Sequence, residues 1–142
     1  MIVNGIVTAV LAVESVADIR TKSISLFRLI EYFVAGVVAN LVFKYQSFIS
    51  VVGGIFVGVI VLIYGLITHE GIGYGDGILF VCLGVVLGTS ENLCLLFFSL
   101  LTVTVVGGIA AVVGHKGIKF QIPFIPCILA TFIVMNILEA VI

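Results

Sequence analysis

From Phe48 to Thr68 the chain carries no charged side chain and few polar ones. A run of that length constrains the backbone more than any other feature, because in lipid only a helix satisfies all its N–H and C=O groups internally. Further apolar runs, with at most two charged residues each, lie at Ile2 to Ala17, Leu26 to Phe43, Ile78 to Gly88, Leu93 to Val113 and Ile122 to Ile142. With 63% hydrophobic and 9% charged residues, the chain has too little polar surface to coat a globule, which excludes a soluble domain. The expected fold is all-α, a polytopic membrane protein of about six transmembrane helices in a single domain spanning residues 1–142. No basic segment precedes the first run and no small-residue cleavage pattern precedes Asp18, so that run is expected to be a retained helix and not a signal peptide.

A net charge of −1 leaves no basic patch to neutralise phosphates, which argues against nucleic acid as a partner; the partner implied is the lipid bilayer. Cys82, Cys94 and Cys127 lie in apolar runs without C-x-x-C spacing and are expected as small buried hydrophobes, with no metal or cofactor site. Basic residues set the orientation. Arg20, Lys22 and Arg28 follow the first run and Lys116 and Lys119 the fifth, whereas Lys44 stands alone on the other side, so the crowded side is expected to be cytoplasmic. His69 to Gly77 then faces the cytoplasm, and Asp18 and Asp76 are expected at the same membrane face.

Gly71 to Leu79 places Asp76 inside a glycine cluster between two apolar runs. Gly73, Gly75 and Gly77 allow backbone conformations and close approaches that larger residues refuse. The same stretch also fits a plain turn in which Asp76 caps the next helix. The fourth run is short, about 17 Å as a helix against a hydrocarbon core of about 30 Å. It is expected either to extend back through the glycines, drawing Asp76 into the membrane, or to stand as a half-length helix beside an embedded loop.

Carboxylates in membrane segments usually face a bundle interior or an aqueous cavity. Glu91, in an expected short outer loop, and Glu139, near the chain end, fit solvated positions. Glu14 precedes Asp18 by one helical turn on the same face, which fits either a partner of the site or a structural tie to another helix. His69 and Glu70 fit a solvated loop end, and Glu70 is also a candidate to attract a basic substrate segment. Asp18 and Asp76 together point to chemistry: two carboxyls in a poorly solvated site share a proton, one acting as base on a water while the other donates to a carbonyl oxygen. A rival use of paired membrane carboxylates is cation or proton transport, which composition alone does not exclude.

Gly73-Tyr74-Gly75-Asp76 resembles the G-x-G-D motif of the type IV prepilin peptidases, membrane aspartyl proteases that include the archaeal preflagellin peptidases. Asp18 to Ile24 resembles the family's first catalytic aspartate with its basic loop, and Ile122-Pro123-Phe124-Ile125-Pro126 its proline-rich entry to the last helix. The chain departs from the pattern at Ser25 and Leu26, where Pro-Asn is usual, and at Ile78, where a lysine commonly follows the aspartate. The resemblance implies an aspartyl endopeptidase with Asp18 and Asp76 as the catalytic pair and Gly73 and Gly75 shaping the site loop. Its substrate would be a prepilin-like protein with a basic leader and an apolar helix, cut at the cytoplasmic face of the plasma membrane. The N-terminal region linked to N-methylation in larger members has no counterpart here, so a minimal peptidase core is expected. A small ion or proton transporter and a non-catalytic pilus or secretion assembly factor are the alternatives.

Overall fold

The computed structural model describes residues 2–21, 25–68, 74–114 and 124–141. These stretches form helices α1 (Ile2–Thr21), α2 (Leu26–Phe43), α3 (Phe48–Thr68), α4 (Tyr74–Gly114) and α5 (Phe124–Val141), and no strand occurs among the described residues. The bounds of α2 and α3 coincide with their apolar runs. α1 continues past Ala17 to Thr21 and so carries Asp18 and Arg20 within the helix. Among the described residues, four segments are long and apolar enough to cross a bilayer: Leu26–Phe43, Phe48–Ile67, Tyr74–Ala110 and Phe124–Val141. This is a multi-pass membrane protein.

α4 is broken at Gly88, whose φ of 78° and ψ of −173° lie in a region that only glycine occupies readily. The chain turns back there. Asn92 donates from Nδ2 to the Phe80 carbonyl oxygen at 3.1 Å, although residues twelve apart on a continuous helix would be separated by roughly 18 Å. The short outer loop expected around Glu91 is therefore helical, and Glu91 is exposed on it. One glycine makes the reversal, so no loop is needed.

The chain forms two compact units, Met1–Lys22 with Leu95–Ile142, and Ser23–Cys94. Within Ser23–Cys94, α3 packs antiparallel on residues 74–87 through glycine. A Cβ on Gly84 would lie 2.2 Å from the Gly54 oxygen, one on Gly58 2.3 Å from the Val81 nitrogen, and one on Gly77 2.7 Å from the Leu62 Cα. Lipid tails are as apolar as leucine, so helices in a bilayer associate through close packing of this kind and not by escaping water. α2 joins where Gly36 meets Val85 and Val86 and where the Cys82 thiol donates to the Leu29 oxygen at 3.2 Å. At the bend, Gln46 Nε2 donates to the Leu87 oxygen at 3.0 Å, and the Thr89 hydroxyl donates to the Ser50 oxygen at 2.9 Å.

In the other unit α1 packs on α5. The stripe on α1 runs Asn4, Val7, Leu11, Glu14, Ser15 and Asp18, with Val7, Leu11, Glu14 and Ser15 buried. Asn4 donates its side-chain amide to Asn136 Oδ1 across the two helices. Thr102 and Thr131 pair their hydroxyls at 3.2 Å. Gly108 is exposed on α4, and a Cβ there would meet nothing within 4 Å.

Candidate functional site

Asp18 stands on the last turns of α1, half-buried, with its Oδ2 accepting the backbone N–H of Ile125 at 3.4 Å. Ile125 belongs to the first turn of α5, so the carboxylate meets the positive end of that helix dipole. The proline-bearing entry to α5 and the first aspartate, far apart in sequence, are thus brought into contact. Glu14, one turn earlier on α1, has 0% exposure. It is shielded from solvent and does not lie on a solvated surface.

Asp76 lies in the first turn of α4 and keeps 9% of its surface exposed. α4 begins at Tyr74 and so takes in Gly75 and Gly77, the part of the glycine stretch that is described. Gly77 fixes the register: with the Leu62 backbone where a Cβ would go, the turn bearing Asp76 is pressed against α3. Gly75, expected to shape a loop, is helical and half-buried, and Gly88 is the glycine with positive φ among the described residues. Gly73, His69, Glu70 and Pro123 lie outside the described residues. Each carboxylate therefore meets a helix N-terminus, Asp76 that of its own α4 and Asp18 that of α5, a position that favours an anion by about 0.3–1 kcal/mol.

A family model described as the type IV leader peptidase family matches residues 5–108. The chain belongs to that family. As a member of the leader peptidases it is a peptidase by descent, and the matched region takes in Asp18, Asp76 and all of α2 and α3. α5 lies beyond the match. No curated protein and no solved structure matches the chain.

Two residues that sequence reasoning passed over matter to the architecture. Ile125 contributes through its backbone N–H, for which no residue type gives a signal. Asn92, fully buried, donates to the oxygens of both Gly54 and Phe80 and so ties α3 to both arms of the bend. A lone amide beside an apolar run was its only trace. Of the cysteines, Cys82 and Cys127 are buried as expected, whereas Cys94 is exposed on α4.

Proposed function

We propose that this protein is a membrane aspartyl endopeptidase that removes the basic leader of prepilin-like precursors at the cytoplasmic face of the plasma membrane. The observation that carries the proposal is the leader peptidase match over residues 5–108, since it includes both aspartates. α1, α2, α3, both arms of α4 and α5 would give six crossings. In the chemistry proposed, one of Asp18 and Asp76 is ionised and takes a proton from a water as its oxygen attacks the scissile carbonyl. The other is protonated and gives its proton to the carbonyl oxygen. Collapse of the resulting diol breaks the C–N bond, and the amine leaves with a proton from the carboxyl pair.

The substrate follows from a site at a membrane boundary. A polar leader in the cytoplasm joins an apolar helix in lipid, and the peptide bond at that junction escapes helical hydrogen bonding most easily where glycine stands. Glu70 would attract the basic leader, a contribution of about 0–1 kcal/mol for an exposed pair.

Asp18→Asn and Asp76→Asn keep the shape of the side chain but cannot exchange the proton. Each is expected to lower cleavage by roughly 10²–10⁴-fold or more, with Glu139→Gln as an active control. Mass spectrometry of a co-expressed precursor reads the result. Hydrolysis retained in either aspartate variant would overturn the aspartyl mechanism.

A further inference from the structure

The first N–H groups of a helix have no acceptor within it. At the start of α5, Pro126 brings no N–H and neither does Pro123 in the preceding sequence, which leaves Phe124 and Ile125 as the donors of this turn. Ile125 directs its N–H to Asp18 Oδ2. Ile125 is wholly buried, and the helical backbone of α5 sets the direction of its N–H. Near the opposite ends of the same two helices, Asn4 and Asn136 are joined. α1 and α5 are therefore pinned at two levels, and the second pin falls on the aspartate itself.

We propose that the backbone N–H of Ile125 is a positioning group for Asp18: it holds Oδ2 and leaves Oδ1 to bind the hydrolytic water. This rests on the proposed catalytic role of Asp18. An N–H anchored in a helix is a stiffer support than a side-chain donor, because no rotamer change can withdraw it. Small displacements of a reacting group carry large rate penalties, so the support acts on turnover and not on substrate affinity.

The test uses purified protein in detergent and a synthetic precursor with a lysine-rich leader, a junction glycine and an apolar helix. Ile125→Pro deletes the donor at a first-turn position where no intrahelical bond is lost. The expected result is a fall in kcat of roughly 10–100-fold with KM within about twofold, while Ile125→Val, which keeps the N–H, retains turnover. Proline also trims a buried side chain. A second variant therefore replaces the amide at position 125 by an ester, using the α-hydroxy analogue of isoleucine, and is expected to show the same split with an unchanged unfolding temperature. Normal kcat in the ester variant, or a loss of kcat matched by a rise in KM, would overturn the proposal and leave the peptidase assignment standing. Asp18→Asn is assayed alongside, because hydrolysis there would instead overturn the catalytic assignment of Asp18.

Discussion

Gly84 and Gly108 share a helix and a residue type but not an environment. A methyl group on Gly84 would collide with the Gly54 carbonyl, whereas one on Gly108 would meet open space. Gly84→Ala is therefore expected to lower the unfolding temperature in detergent by forcing α3 and α4 apart. Gly108→Ala is expected to leave it unchanged or raise it slightly, since alanine is the better helix former by about 1 kcal/mol. Equal behaviour of the two variants would contradict the glycine packing. Residue chemistry also decided which parts of the candidate site were legible in the sequence. Asp18 and Asp76 stood out because a carboxylate in an apolar run is costly and rarely accidental. Ile125 did not, because a backbone donor looks the same at every residue.

The helical elements α2 and α3 could be read directly, since long, mostly apolar runs bounded by polar residues admit few other conformations in lipid. The bend in α4 was harder to place. Gly88 is one of 16 glycines, and nothing in its neighbours distinguishes a residue with φ of 78° from those that merely let helices touch. Its replacement by alanine meets two obstacles. The backbone conformation itself costs of order 1–3 kcal/mol for a residue with a side chain. The new Cβ would also lie 2.3 Å from Ser50 Oγ and 2.7 Å from Gln46 Oε1. Gly88→Ala is thus expected to be markedly less stable than wild type by thermal unfolding, with less folded protein recovered from membranes. A variant as stable as wild type would show that the reversal does not depend on Gly88.

Across the whole molecule, helix lengths are unequal, and residues 74–87 are the short member. At about 1.5 Å per residue that arm of α4 reaches roughly 21 Å, against about 30 Å of hydrocarbon in an ordinary bilayer. It carries Asp76 at one end and the Gly88 bend at the other, and both ends are held, the first by the Gly77 contact with α3 and the second by Gln46 and Thr89. An arm so fixed cannot lengthen to meet the lipid. The surrounding bilayer must thin, at a cost of a fraction of a kcal/mol per ångström, or the arm must settle toward one leaflet. Acyl-chain length thereby becomes a control on how close Asp76 lies to the water and the leader it is proposed to act on. In liposomes of graded phosphatidylcholines, cleavage is expected to be fastest in the short-chain lipids and to decline as the chains lengthen. A rate indifferent to chain length would mean that the short arm sets no demand on its membrane.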